Sequence, residues 1–316
     1  MGTAPRFWFN PPSHPGWQAY LLAPFGWLYA SATAHRLARG SAFRPGVPVI
    51  CVGNINAGGT GKTPTVIAIA QRLLARGVDV HVVSRGYGGH LHGPVRVDEK
   101  THRAADTGDE PLLIAAFTPT WVAKDRRIGC MAAVGAGARA IILDDGHQDP
   151  AVGKDLSIVI VDAEKGFGNG RCLPSGPLRE PVATGAARAG LILSIGDAPA
   201  QERFRQNWGA LLASPHVTGQ LKPLPTGMAW HGQRVLAFAG IGHPEKFFAT
   251  LRALGADIAK AEALDDHQVF TTALLHRLET DARLLGAQLV TTEKRRRAPA
   301  CRLSVQGPGA SGAAGA

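Results

Sequence analysis

Six consecutive residues constrain this chain more than any other feature: Gly58-Gly59-Thr60-Gly61-Lys62-Thr63. They follow a β-branched run, Val47 to Val52, and precede the apolar periodicity of a helix over Thr65 to Ala75, which Gly77 stops. A strand, a glycine-rich turn and a helix in that order are the context a phosphate loop requires. Glycines let backbone N–H groups turn toward an anion, and the helix N-terminus adds its positive end. Lys62 is placed to reach the terminal phosphates, and the Thr63 hydroxyl to hold Mg2+. The strict pattern asks for Gly where Asn56 stands, but Gly53, Gly58 and Gly59 supply flexibility nearby. The expected nucleotide site is therefore Asn56, Ala57, Gly58, Gly59, Thr60, Gly61, Lys62 and Thr63. The competing reading is a glycine turn with an incidental lysine.

The rest of the chain repeats the alternation. Val78 to Val83, Ala140 to Leu143, Ser157 to Val161 and Leu191 to Ile195 are apolar runs of strand length bounded by Gly, Asp or Pro. This predicts an α/β fold of P-loop NTPase type, a mostly parallel sheet flanked by helices. A Pro/Gly-rich stretch at Leu221 to Gly227 reads as a linker to a second, smaller α/β domain. That domain has a strand at Val235 to Ala239, a helix opening at Pro244, a helix over Thr271 to Leu285 and a strand at Gln288 to Thr292. The expected divisions are 1–44, 45–222, 223–294 and a disordered tail over 295–316, where periodicity is lost.

Residues Trp17 to Ala34 carry no charge, yet Pro24 and Gly26 interrupt them. Trp8, Trp17, Tyr20, Trp27 and Tyr29 are aromatics of the bilayer interface, and Arg36, Arg39 and Arg44 follow. An N-terminal membrane-associating helix lying in the interface is expected. A buried helix pair and a true span are the alternatives. The net charge of +10 suits anionic partners, but no basic–aromatic nucleic-acid motif is present, so nucleic acid is not an expected partner. Four cysteines with no C-x-x-C pair exclude a disulfide scaffold or a zinc ribbon.

Asp144-Asp145 ends a buried strand, where a Mg2+-holding carboxylate of a phosphate-loop enzyme belongs. Asp-Asp-Gly is also a turn sequence. Asp109, before Glu110-Pro111, is either a base for an acceptor hydroxyl or a helix cap. His267 could polarise that carboxylate or be structural. Arg179, followed by Glu180, either clamps phosphate oxygens or makes a surface ion pair.

Taken in order, Gly53-Asn54 through Thr63-Pro64, Ser84-Arg85-Gly86-Tyr87-Gly88-Gly89, Gly108-Asp109-Glu110-Pro111, Asp144-Asp145-Gly146-His147-Gln148, the Leu173 to Pro181 loop, Gly240 to Pro244, Asp266-His267 and Thr291-Thr292-Glu293-Lys294 are familiar. The chain resembles the tetraacyldisaccharide 4'-kinase family of Gram-negative lipid A synthesis, over roughly residues 6 to 294. The resemblance implies transfer of the ATP γ-phosphate to the 4'-hydroxyl of an acylated disaccharide 1-phosphate, giving lipid IVA. By motif, Lys62 and Thr63 bind the ATP phosphates and Mg2+, with Asp144, Asp145 and Glu180 completing the metal site. Asp109 becomes the base, His267 its partner, and Arg179 a phosphoryl-site residue. The resemblance also implies a peripheral enzyme on the cytoplasmic face of the inner membrane. Three departures stand out. His147 replaces a Phe, Gln268 replaces a His, and Arg295-Arg296-Arg297 with a Gly/Ala tail replaces an Asp and a further strand. The alternatives are a regulatory ATPase or GTPase, or a catalytically impaired family member.

Overall fold

The computed structural model describes residues 4–40, 42–221, 229–240, 244–265 and 270–291. The expected linker, His267 and the tail after 294 lie outside the described residues. The chain divides into two compact units, Met1–Lys222 and Pro223–Ala316.

The first unit opens with helices α1 (Trp17–Leu21) and α2 (Ala23–Ala38). The apolar segment breaks at Leu22, and Pro24 falls in the first turn of α2, where its missing N–H costs nothing. Strand β1 (Val49–Gly53) leads through the glycine turn into α3 (Lys62–Leu74), and β2 (Val80–Ser84) and β3 (Val95–Arg96) follow. Then come α4 (Ala104–Thr107), α5 (Asp109–Ala115), β4 (Thr120–Val122), α6 (Arg126–Gly135), β5 (Ala140–Asp144) and β6 (Leu156–Asp162). The unit ends with α7 (Val182–Ala187), β7 (Leu191–Ile195), α8 (Ala198–Trp208) and β8 (His216–Gly219).

The eight strands form one sheet in the order β3-β4-β2-β5-β1-β6-β7-β8. Every pairing is parallel except β3 with β4. Parallel strands need covered faces, and their side chains explain the near-continuous apolar runs. On one face Val66, Ile67 and Ala70 of α3 pack on Val52, Val82, Ile142 and Ile160. On the other, Cys130 and Ala133 of α6 meet Cys51, Val83 and Leu143. Further along, Phe204 and Trp208 of α8 close over Phe167, whose ring meets Trp208 edge to face at 5.1 Å. The register sets Val52 of β1 opposite Asp144 of β5. Neighbouring strands therefore deliver the glycine turn and the acidic pair to the same sheet edge, beside the carboxyl ends where such sheets bind ligands.

The N-terminal helices are pinned to the body of the unit by side-chain contacts. Ser175 Oγ donates to Ala19 O (2.6 Å), and Asn169 Nδ2 donates to Phe7 O (3.2 Å) and Ser175 O (3.0 Å). Trp8 Nε1 donates to Pro174 O, and the Arg171 guanidinium lies 4.6 Å over the Tyr20 ring. A Cβ on Gly26 would come within 3.0 Å of Cys172 O, so α2 can sit this close only with glycine there. Trp17, Tyr20, Leu21, Phe25, Trp27 and Leu28 stay exposed on these helices, Trp27 at 73%. Among the described residues no helix is long and apolar enough to cross a membrane.

In the second unit β9 (Arg234–Ala239) is the centre of a parallel three-stranded sheet, β10-β9-β11. Its partners are β10 (Asp257–Ala263) and β11 (Gln288–Thr291). Helix α9 (Pro244–Ala253) places Phe248 and Leu251 with Val235 and Ala237. Helix α10 (Thr272–Leu284) places Leu278 and Ala282 with Leu236 and Phe238.

Candidate active site

The glycine turn is built by backbone conformations that only glycine adopts cheaply. Gly61 caps α3 at φ 91°, and Gly58 has φ 120°. A Cβ on Gly61 would lie 2.8 Å from Ile195 Cδ1, so β7 also closes against the turn. Asn54 braces the loop from inside, its Nδ2 donating to Gly58 O (3.1 Å) and Thr60 Oγ1 (3.2 Å). Lys62 and Thr63 are buried in the first turn of α3, whose N–H groups have no carbonyl partner within the helix.

Two of the expected nucleotide residues have other work. Ala57 gives its N–H to Pro177 O (2.7 Å), and the Asn56 side chain gives its Nδ2 to Gly166 O (3.0 Å). The Ala57 N–H and the Asn56 side-chain amide are thus committed to the 166–178 loop, and the stretch from Gly58 to Thr63 is the candidate anion cradle. The substitution of Asn for the usual first glycine thus serves as an anchor between two loops.

The acidic pair splits into two environments. Asp144 is 2% exposed; its Oδ2 accepts from Ser84 Oγ (2.9 Å), and its Oδ1 is buried without a partner among the described residues. Burial, helped by the nearby Glu110 carboxylate, pushes its acid up to about 6. Asp145 adopts φ 50°, a left-handed conformation that Asp tolerates better than most residues. Its carboxylate receives Arg179 Nη1 at 3.0 and 3.1 Å, and Lys62 Nζ stands 3.7 Å away. Burial would raise this acid, but the Lys62 and Arg179 cations outweigh it and hold Asp145 below the usual range. Two adjacent carboxylates are thereby driven apart in acidity.

Behind them, Arg126 is fully buried and spans the turn. Its Nη2 donates to the carbonyls of both Asp144 and Asp145 at 2.8 Å, and its Nη1 to Asp149 Oδ2 at 2.7 Å. Gln148 accepts from Arg179 (3.4 Å) and donates to Asn54 O and Glu180 Oε1, both at 2.8 Å. Glu180 is buried against Arg188, its other oxygen paired with that guanidinium. Both Glu180 oxygens are engaged, one by Gln148 and the other by Arg188, and through Gln148 the residue is linked to Arg179. His147 fills the Phe position as a neutral ring. Its Nε2 donates to Gly185 O (3.0 Å) and its Nδ1 accepts from Ser157 (2.9 Å); burial and the Arg188 cation lower it to about 4.

Asp109 is the first residue of α5, with Gly108 as the cap. Its loop is held by close backbone approach: a Cβ on Gly108 would lie 2.5 Å from Tyr87 O, and one on Gly89 2.5 Å from Asp106 O. Lys124 Nζ ties that loop by donating to Gly86 O (3.0 Å) and Gly89 O (3.2 Å). The structure thus brings Lys62, Thr63, Asp144, Asp145 and Arg179 to one sheet edge, with Glu110, the neighbour of Asp109, near enough for its charge to act on Asp144. His267 lies outside the described residues. Sequence reasoning missed Asn54, Ser84, Glu110, Arg126, Gln148 and Arg188. All but Arg126 and Arg188 sit inside or beside a recognised motif, and that adjacency is the signal that could have found them.

These residues suit a magnesium nucleotide. The unpartnered, buried oxygen of Asp144 and its raised acidity are relieved by a divalent cation. Among the described residues no three His, Cys, Asp or Glu side chains cluster, as expected for Mg2+, which takes one or two carboxylates and fills its shell with phosphate and water.

Comparison with known proteins identifies the family. The family model for tetraacyldisaccharide-1-P 4'-kinase, LpxK, matches residues 18–298. A tetraacyldisaccharide 4'-kinase of Dinoroseobacter shibae is 62% identical over 291 residues, covering 92% of this chain and 86% of that protein. One from a Jannaschia species is 61% identical, covering 92% and 88%. The crystal structure of the apo form of LpxK from Aquifex aeolicus in complex with ATP superposes with a TM-score of 0.68 at 26% identity, covering 87% of this chain and 88% of that one. With its nucleotide turn, its split acidic pair and these relatives, the chain belongs to the tetraacyldisaccharide 4'-kinase family.

Proposed function

We infer that the chain transfers the γ-phosphate of ATP to the 4'-hydroxyl of a tetraacylated disaccharide 1-phosphate, giving lipid IVA in lipid A biosynthesis. The observation that carries the site assignment is the convergence of Lys62, Asp145 and Arg179 beside the Gly58–Thr63 turn. In this reading the turn's N–H groups and Lys62 hold the triphosphate. Arg179, kept in place by Asp145 and Gln148, faces the transferring phosphoryl group. Thr63 Oγ and Asp144 hold Mg2+, with Asp145 beside them; bound Mg2+ neutralises charge on the phosphate oxygens. Asp109 orients the acceptor hydroxyl and takes its proton, with His267 assigned as its partner by motif. Phosphoryl transfer needs little covalent help from protein, so positioning and charge neutralisation provide most of the acceleration.

The acceptor's acyl chains demand proximity to a bilayer, because each CH2 taken into water costs about 0.8 kcal/mol. The exposed aromatic residues of α1 and α2 support peripheral binding at the cytoplasmic face of the inner membrane. Deleting residues 1–40 should weaken co-sedimentation with anionic vesicles; unchanged binding would move the contact elsewhere.

The test of the activity is incubation with ATP, Mg2+ and the disaccharide monophosphate lipid, read by mass spectrometry for one added phosphoryl unit. A folded protein that binds ATP and releases only free phosphate would favour a hydrolase over the lipid kinase.

A further inference from the structure

A second cavity, of about 630 Å3, opens below the carboxyl end of α2, where Leu37, Arg44, His147, Lys154, Asp155 and Arg188 contribute to its walls. The reaction described above makes no use of it. Its charges do not cancel. Asp149 is committed to buried Arg126. Asp155 is shared between Arg44 (3.3 Å) and the N–H of Val49 (2.8 Å). Arg188 is paired with Glu180 and also donates to His147 O (3.2 Å). Lys154 alone has no carboxylate within ion-pair distance among the described residues. Its ammonium rests on two carbonyls, His147 O (3.2 Å) and Asp149 O (2.8 Å). The half-buried ammonium is thus held by neutral acceptors and lines the cavity, with no carboxylate paired to it among the described residues.

The cavity's position says what kind of anion. It shares Leu37 with the body of α2, whose outer side carries Phe25, Trp27 and Leu28 and whose last turn carries Arg36, with Arg39 following. A helix of 16 residues is about 24 Å long, so one lying in the interface keeps both its aromatic half and its basic end at headgroup depth. We propose that this cavity receives the phosphate of an acidic phospholipid headgroup, held by Lys154 with Arg44 at the rim. The site is separate from the glycine turn and anchors the protein by a specific lipid contact in addition to the aromatic surface.

The test uses the full chain with 15N-labelled histidine, without ATP or acceptor lipid, so its outcome is independent of the kinase assay. Dihexanoylphosphatidylglycerol is titrated below its micellar concentration while the His147 ring signal is followed. A saturable shift is expected, and Lys154→Met should weaken the affinity about fivefold, the usual scale for one basic residue at an acidic surface. Arg44→Gln, at an exposed rim position, should weaken it in the same sense and keeps the test intact if Lys154→Met does not fold. Arg76→Gln, in the turn after the carboxyl end of α3, should leave it unchanged. Vesicles of pure phosphatidylcholine should bind less well than vesicles with phosphatidylglycerol, and the difference should shrink in Lys154→Met. No saturable shift, or equal affinity in wild type and both cavity variants, would overturn the site. Inorganic phosphate binding as tightly as the lipid would overturn the headgroup assignment in favour of a free-anion pocket.

Discussion

Replacing Asp144 with asparagine should strengthen the unliganded fold while crippling the reaction, and the strengthening should depend on pH in one direction only. Burial raises this carboxyl from 3.8 to about 6 in the folded chain. At 1.36 kcal/mol per unit, ionising it costs the native state about 3 kcal/mol relative to the unfolded chain. Because the folded value is the higher one, the native state holds its proton longer. Well below pH 3.8 both states are protonated and the cost is absent. It grows as pH rises from 4 to 6 and is complete above that. The amide of the variant never ionises, so any fixed difference in packing or hydrogen bonding stays constant while the charge cost appears only in the wild type. The measurement is urea unfolding of both proteins in EDTA without nucleotide, at pH 4 and at pH 7.5. The stability difference should move in favour of Asp144→Asn by about 2.5 kcal/mol between those two pH values, or roughly 5–10 °C in melting temperature for a unit of this size. Mg2+ with nucleotide should cancel much of that advantage by stabilising the wild type selectively. A difference that does not change with pH would refute the burial argument and with it the reading of Asp144 as a carboxylate awaiting a cation.

The other predictions concern single contacts. Asp109→Asn should lower turnover by roughly 10²–10⁴-fold with little change in the KM for ATP; near-normal turnover would remove Asp109 as the base. Lys124→Met frees the Gly86–Gly89 loop that presses on Gly108, and should cost between about 10- and 100-fold in kcat at unchanged ATP affinity, the scale of small misplacements. Steady-state kinetics with ATP and lipid varied separately checks both variants. Arg126→Met leaves Asp149 and two carbonyls without their buried partner and should lower stability by about 3–5 kcal/mol in urea unfolding.

The order of elements around the nucleotide turn is readable because glycines and charged residues punctuate apolar runs there. Leu191–Ile195 follows from its side chains alone, and the run ending at Leu143 extends by one residue, to Asp144, in the structure. Strand β4, with three residues, is too short to declare itself. Strands β8 and β10 expose much of their length, and β10 interleaves Lys260 and Glu262 with alanines, so neither shows an apolar run. At the site, the type and spacing of Lys62, Thr63 and Asp144-Asp145 reveal the chemistry. The supporting contacts do not show, because they join residues far apart in the chain. Arg126 meets carbonyls 18 and 19 residues away, and Asn56 meets Gly166 across 110. Spacing cannot anticipate such pairs without the fold. Nor does spacing show that Glu180 is held by Gln148 and Arg188.

The loop that presents Arg179 also carries Ser175 and lies next to Asn169, the two residues that grip the first helices through Ala19 O and Phe7 O. Trimming the greasy front end to obtain a better-behaved sample would therefore remove the splint from a catalytic arm. A sluggish truncated enzyme would then report a loosened guanidinium as much as a lost bilayer, and the two effects separate only when Ser175→Ala is assayed in the untrimmed chain.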